Sequence, residues 1–202
     1  DSSLPTDKYS KISRKSRGIY KYVWSIHGLT TTRARYFFRF DTFFMTQTFG
    51  LLGHPLGHSF SASYFTEKFA KLELDAVYRN FDFAEVPEAL AHILSIENLK
   101  GFNVTIPHKQ AIIPHLATLS PEAREIGAVN VVKTVPRPEG GYELHGHNSD
   151  WIGFTQSLLT LLPEDFSGIS ALILGTGGAS RAIAYSLRRL GIPFLFVSRQ
   201  KK

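Results

Sequence analysis

The chain has 202 residues, an apolar fraction of 43% and a formal net charge of +6. This length suits one large domain or one domain and part of another, and the apolar fraction suffices for a core. No uninterrupted apolar run is long enough to predict a membrane span. The absence of cysteine excludes disulfides, thiolate metal sites and a cysteine nucleophile, and it fits a reducing compartment.

The positive charge is confined to the first part of the chain. Residues 1–44 contain nine Lys/Arg and three Asp/Glu, whereas residues 45–202 contain fourteen of each. The neutral remainder argues against nucleic-acid binding by the chain as a whole.

The basic segment 1–44 shows no sustained helix or strand period, and the only methionine, Met45, stands just before the first predicted strand. Three interpretations are open. The segment is upstream or artificially added sequence with Met45 as the true start, which we favour; it is an Arg- and Ser-rich transit peptide; or it is a basic-aromatic arm that touches nucleic acid or a membrane. We exclude it from the fold argument.

From Met45 onward, apolar periods alternate between strand and helix, which predicts an α/β chain. Predicted strands lie at 48–53, 76–81, 101–106, 129–135 and 142–145, and predicted helices at 59–72 and 86–94. Four aromatic residues recur at helical spacing in the first helix, and this spacing predicts that they face the core: Phe60, Tyr64, Phe65 and Phe69.

The third predicted strand ends in polar side chains. Asn103 and Thr105 share one face of this strand, because side chains alternate with period two. Lys109 follows just beyond the carboxyl end, where open α/β folds place their ligand clefts. This arrangement suits a polar, oxygen-rich substrate.

A second unit begins near residue 148. Ser149 or Asp150 is predicted to cap a helix that runs to about residue 162. A buried strand at 169–174, a helix at 181–190 and a strand at 193–198 then give βαβ order. The turn between the first strand and the helix is glycine-rich, and exposed N–H groups there favour a pyrophosphate: Gly175, Thr176, Gly177, Gly178 and Ala179.

The residues after the last predicted strand bear on the choice of cofactor. An acidic side chain would favour NAD there, but the chain offers Ser198 and Arg199, followed by Gln200, Lys201 and Lys202. Arginine pairs well with a ribose 2′-phosphate, so we predict NADP. The alternative is a solvated basic segment with no ligand.

Five histidines could suggest a metal site: His54, His58, His108, His145 and His147. They lack a common helix face and a supporting carboxylate spacing, so no metal site is predicted. His58 is instead predicted to form a structural hydrogen bond.

Five motifs fall in order along residues 45–202: Gly53-His-Pro-Leu-Gly-His-Ser-Phe-Ser61, Asn103-Val-Thr-Ile-Pro-His-Lys109, Gly127-Ala-Val-Asn130, Asn148-Ser-Asp-Trp-Ile-Gly153 and Gly175-Thr-Gly-Gly-Ala179. Together they resemble the shikimate dehydrogenase family. The chain departs from the family pattern after Ser61, where Ala62 and Tyr64-Phe65 stand in place of a proline and a His-Asn pair. Family members also continue well beyond Lys202, so we expect a C-terminally truncated chain.

The resemblance implies a substrate domain at 45–147, followed at 148–202 by the first half of a Rossmann NADP-binding domain. It implies NADPH-dependent, reversible reduction of 3-dehydroshikimate to shikimate, in chorismate and aromatic amino acid biosynthesis. It also implies a small-molecule substrate, no nucleic-acid or membrane partner, and a cytoplasmic location, or a plastid one if residues 1–44 are a transit peptide. The alternatives are a quinate/shikimate dehydrogenase and an inactive substrate-binding fragment.

The resemblance also assigns roles to single residues. Lys109 and Asp150 would form the catalytic pair at the reacting hydroxyl, with the division of labour between them left open. Five polar residues would bind the substrate, the two serines at its carboxylate and the others around its ring: Ser59, Ser61, Asn103, Thr105 and Asn130.

Overall fold

The computed structural model describes residues 12–16, 19–23, 46–57, 59–162 and 165–198. The chain divides into two compact units, residues 1–44 and residues 45–202. In the first unit, β1 (Ile12–Ser16) pairs antiparallel with β2 (Ile19–Val23). These two short strands form although the segment shows no sustained strand period in its sequence. Only two residues separate the strands, and such local pairing needs no long side-chain period.

The second unit is built on one mixed sheet of six described strands. They are β3 (Gln47–Gly53), β4 (Ala76–Asp82), β5 (Leu99–Val104), β6 (Thr118–Leu119), β7 (Val131–Pro136) and β8 (Tyr142–His147). Their order across the sheet is β4-β3-β5-β7-β8-β6. Strand β3 runs parallel to β4 and β5, and β7 runs antiparallel to β5 and β8.

Helices connect these strands and continue the chain beyond them. They are α1 (Phe60–Lys71), α2 (Val86–Ile93), α3 (His108–Ala111), α4 (Pro121–Ile126) and α5 (Asp150–Leu159), with a 3₁₀ turn at Ile113–His115. Neither α3 nor α4 is long enough to show a helical period in the sequence. Local signals define α4 instead: Ser120 Oγ accepts a bond from the Ala123 N–H, and Gly127 ends the helix at a φ of 68°.

The main core lies between the sheet and its helices, and its largest fully buried side chains come from strands and helices alike: Leu52, Ile93, Leu99, Val104, Ile112, Val129 and Val132. The prediction that all four aromatic residues of α1 face the core was only partly right: Phe65 and Phe69 are half-buried against strand residues, but Phe60 and Tyr64 are exposed. Phe65 stacks on Tyr78 with 4.6 Å between ring centroids, but Phe60 is 75% exposed. The apolar stripe of α1 is therefore wider than the surface that the sheet offers it.

A βαβ unit completes the second unit. It comprises β9 (Ala171–Leu174), α6 (Gly178–Arg189) and β10 (Phe194–Val197), and the two strands pair in parallel. The predicted order is confirmed, although α6 begins earlier than expected because the last glycine of the turn already has helical conformation. The prediction of a buried first strand was wrong, since only Ile173 of β9 is buried.

No helix in the described part of the chain combines the length and the apolar character that a membrane crossing requires.

Candidate active site

Strand pairing brings the predicted site residues to one edge of the sheet. The carboxyl ends of the parallel strands β3, β4 and β5 lie at this edge. Asn103 of β5 pairs with Val131 of β7, which pairs in turn with His147 of β8. The segments that follow β3, β5 and β8, and the residue that precedes β7, therefore converge where α/β sheets bind ligands.

The centre of this edge is an ion pair between Lys109, at the start of α3, and Asp150, the first residue of α5. Lys109 Nζ lies 2.5 Å from Asp150 Oδ2, and the two side chains are only 15% and 29% exposed. Asn130 Nδ2 donates to the other carboxylate oxygen over 2.7 Å. Both oxygens of Asp150 are thus engaged, which fixes the direction of the lysine ammonium.

Asn130 faces Ser149 as well as Asp150. Its Oδ1 accepts from the Ser149 N–H at 2.8 Å, and its Nδ2 lies 3.0 Å from Ser149 Oγ. Ser149 is the N-cap residue of α5, as the sequence predicted, but the side-chain bonds at the helix start come from its neighbour Asn148. Buried Asn148 accepts at Oδ1 from the Asp150 and Trp151 N–H groups, whereas Ser149 makes no side-chain cap bond. An asparagine two residues before a helix is the signal that could have found it.

Two of the predicted substrate residues meet at a tyrosine that the sequence did not suggest. The Tyr78 hydroxyl donates to Asn103 Oδ1 over 2.9 Å, and it also bonds to Ser61. Burial raises the pKa of Tyr78 to about 12, and the bond to Ser61 opposes that rise. A tyrosine in the middle of a strand needs a partner for its hydroxyl, and this was the available signal.

The other two predicted substrate residues lie on adjacent turns. Ser59 Oγ is buried and has no hydrogen-bond partner within the described residues. The Thr105 N–H donates to the Leu52 carbonyl, and the Thr105 carbonyl accepts from the His108 N–H, both over 2.8 Å. Backbone bonds therefore place Thr105. His58 lies outside the described residues.

The glycine-rich turn reaches the lysine directly. A Cβ added to Gly178 would lie 2.9 Å from the Cβ of Lys109, so only glycine allows this approach. Gly177 caps α6 without a side-chain bond, and a Cβ there would meet nothing within 4 Å. Open space and uncapped N–H groups at a helix start fit a phosphate-bearing cofactor.

For the remaining predicted cofactor residues, the structure gives only their positions in the chain fold. Thr176 lies in the turn itself, Ala179 is the second residue of α6, and Ser198 follows β10 directly, while Arg199 lies outside the described residues. A separate surface cleft lies at the amino ends of β9 and β10, opposite the glycine-rich turn. No group of three or more potential metal ligands occurs among the residues that the structure describes.

The fold and this site define an α/β protein in which a lysine–carboxylate pair at a sheet edge contacts the glycine-rich turn of a βαβ unit. Residues 51–132 match the sequence model of the shikimate dehydrogenase substrate binding domain. This part of the chain belongs to that family, and the resemblance drawn from the five motifs is confirmed.

Curated relatives extend the similarity beyond that domain. The shikimate dehydrogenase (NADP(+)) of Caldanaerobacter subterraneus is 42% identical over 154 residues, which cover 76% of this chain and 53% of the relative. The enzyme of the same name from Aquifex aeolicus is 40% identical over 159 residues, or 78% and 56%. The chain therefore spans roughly half the length of the curated relatives it matches.

Solved structures show the same fold. A shikimate dehydrogenase from Aquifex aeolicus superposes with a TM-score of 0.68 at 38% identity, covering 78% of this chain and 57% of that one. A Thermus thermophilus enzyme in complex with NADP(H) and shikimate superposes with a TM-score of 0.62 at 37% identity, covering 76% and 56%. The predicted α/β fold class is thereby confirmed.

Proposed function

We propose that residues 45–202 carry the shikimate site and the first part of the cofactor site of an NADP-dependent shikimate dehydrogenase. The observation that carries this proposal is the Lys109–Asp150 pair in contact with Gly178. The contact supports the proposal, because it brings Lys109 beside a turn suited to a dinucleotide. The reaction is reversible hydride transfer between NADPH and 3-dehydroshikimate.

The polar groups at the sheet edge fit a small polyhydroxylated acid. Ser59 offers a buried hydroxyl that has no partner within the described residues, and Ser61 lies two residues further on. These hydroxyls bind the substrate carboxylate, while Asn103, Thr105 and Asn130 face the ring hydroxyls. A buried hydroxyl without a partner discriminates strongly between ligands, because a ligand that lacks the matching group leaves the hydroxyl without a hydrogen bond.

Lys109 is the proton donor in the reductive direction. The bound cofactor supplies the hydride, and the ketone oxygen then acquires negative charge. The lysine ammonium stabilises that charge and delivers a proton to it, and the neutral amine accepts the proton back in the oxidative direction. Asp150 keeps the lysine in place, because one of its oxygens binds Lys109 Nζ while the other is held by Asn130 Nδ2.

The cofactor is held, in this proposal, by the turn from Gly175 to Ala179 at the start of α6. Ser198 and Arg199 lie at the position that distinguishes a 2′-phosphate from a free hydroxyl. The names of the curated relatives and the Thermus complex support NADP. A boundary between substrate and cofactor parts near residue 148, a cytoplasmic location and a role in chorismate and aromatic amino acid biosynthesis remain predictions from the sequence.

The test is a calorimetric titration of the chain with shikimate and with quinate, after circular dichroism shows that it is folded. We expect saturable binding that favours shikimate and weakens in Lys109→Ala. The matched control is Lys71→Ala, because the side chain of Lys71 is 78% exposed. A folded parent chain that binds neither acid would contradict the proposed site, and tighter binding of quinate would favour a quinate enzyme.

Turnover tests the assigned role of the lysine. In the complete enzyme, formation of NADPH from shikimate and NADP⁺ is followed by its absorbance, and Lys109→Ala is expected to lower kcat at least about a hundredfold. A kcat close to that of the complete enzyme without the substitution would show that another group transfers the proton.

A further inference from the structure

Asp82, the last residue of β4, makes two contacts with the turn that follows β3. Its Oδ1 lies 2.8 Å from His54 Nδ1, and its Oδ2 accepts from the Leu56 N–H over 3.0 Å. An ionised carboxylate only accepts hydrogen bonds, so the proton lies on His54 Nδ1. The Leu56 N–H, and then His54, hold the pKa of Asp82 below its ordinary value.

These contacts extend along the backbone to a predicted substrate residue. The Leu56 carbonyl accepts from the Ser59 N–H over 3.0 Å, and the Gly53 carbonyl accepts from the Phe83 N–H over 3.2 Å. We call residues 54–57 together with Ser59 the serine arm. Asp82 fixes the near end and the middle of this arm, Phe83 holds Gly53 directly before it, and a bond within the arm fixes its far end.

The same strand end also contacts the segment that carries the lysine. Buried His108, directly before Lys109, lies 2.7 Å through Nε2 from the Phe83 carbonyl. A carbonyl oxygen can only accept, so Nε2 carries the proton. The pair Asp82–Phe83 therefore joins the serine arm to the start of α3, and it sets the spacing between the two parts of the site.

Packing does not explain why an aspartate occupies this position. The Asp82 side chain is 44% exposed, and its two oxygens face donors on the serine arm rather than a core. The Ser59 hydroxyl makes no hydrogen bond within the described residues, so the backbone bonds of the arm contribute to its position.

We propose that Asp82 is a positioning residue for substrate binding: its carboxylate holds the serine arm so that Ser59 meets the ligand carboxylate. This inference rests on the proposed function, because shikimate is the ligand that Ser59 is taken to bind. Asp82 acts through Leu56 and His54, and it does not itself touch the ligand.

The test compares aspartates at the two ends of one strand. Asp82→Ala removes both acceptors, Asp82→Asn keeps one, and Asp75→Asn alters the exposed aspartate just before β4. We expect shikimate affinity to fall about tenfold in Asp82→Ala, less in Asp82→Asn and not at all in the control. In a Ser59→Ala background the loss caused by Asp82→Ala should largely disappear, because the two changes then remove the same interaction.

Amide hydrogen exchange provides a readout that needs no ligand. In Asp82→Ala the Leu56 amide should exchange at least about tenfold faster, while the amides of β5 keep their protection. Unchanged exchange at Leu56, or an equal loss of affinity with and without Ser59, would overturn the inference. A parent chain that binds no shikimate would refute the proposed function, and the exchange measurement would still decide whether Asp82 holds the arm.

Discussion

Similar apolar sequences are buried to different extents in the six-stranded sheet and in the βαβ unit. In the sheet, Leu52 of β3 is fully buried, because helices and neighbouring strands cover it. In the βαβ unit, Leu174 of β9 is 78% exposed, although it belongs to an equally apolar run. Hydrophobicity alone therefore does not decide burial; the elements that lie against a strand do.

The two regions meet at the candidate site. A small buried cluster joins α4 and its following turn to α6, and Trp151 packs against it: Ile126, Ala128, Ala182 and Tyr185. Lys109 comes from the sheet region and Gly178 from the βαβ unit. The sheet region alone supplies the serine arm.

The largest expected difference comes from truncating a leucine in each region. Leu52→Ala should lower the free energy of unfolding by roughly 2–5 kcal/mol, because it leaves a cavity in a packed core. Leu174→Ala should change it by less than about 0.5 kcal/mol, because the side chain is exposed. Urea denaturation measures both. A large loss from Leu174→Ala would show that the exposed face of β9 is covered in solution.

Two separate glycine substitutions test the contact between the sheet region and the βαβ unit. Gly178→Ala should destabilise the chain by about 1–3 kcal/mol and weaken shikimate binding, because the new Cβ would displace Lys109. Gly153→Ala is the control: a Cβ there meets nothing within 4 Å, and alanine in helix α5 should stabilise by about 0.5–1 kcal/mol. Equal stability in the two variants would mean that α6 can move away from the lysine without cost.

The smallest expected effect is that of Tyr78, whose contribution to stability depends on pH. Burial raises the pKa of Tyr78 from 10.0 to about 12 in the folded chain, so its contribution to stability is complete below pH 10 and is lost as the pH rises towards 12. Tyr78→Phe should cost about 0.5–1.5 kcal/mol at neutral pH, through the lost bonds to Asn103 and Ser61.

Tyrosine ionisation, followed by ultraviolet absorbance, checks that prediction. The Tyr78→Phe variant should lack the group that titrates near pH 12, whereas Tyr64→Phe, in the exposed part of α1, should retain it. Identical titration curves for the parent and the Tyr78→Phe variant would show that Tyr78 is more hydrated than its contacts indicate.

The sequence predicted the features that depend on local pattern. Apolar periods predicted the longer strands and helices between β3 and β10, though not β6, α3 or α4, and the glycine-rich turn from Gly175 to Ala179 predicted the βαβ order. The ordered motifs carried the family resemblance. These signals are local, because side-chain periodicity, turn chemistry and motif order are all written along the chain.

Only the tertiary structure decided which of these elements became buried and which side chains met. The exposed aromatics of α1, the exposed strands β9 and β10, and the bond from Tyr78 to Asn103 all depend on residues distant in sequence. Asp82 lies 28 residues from His54, yet strand pairing brings them together. Burial and cross-strand contact are properties of pairs of elements, so a single segment of sequence cannot specify them.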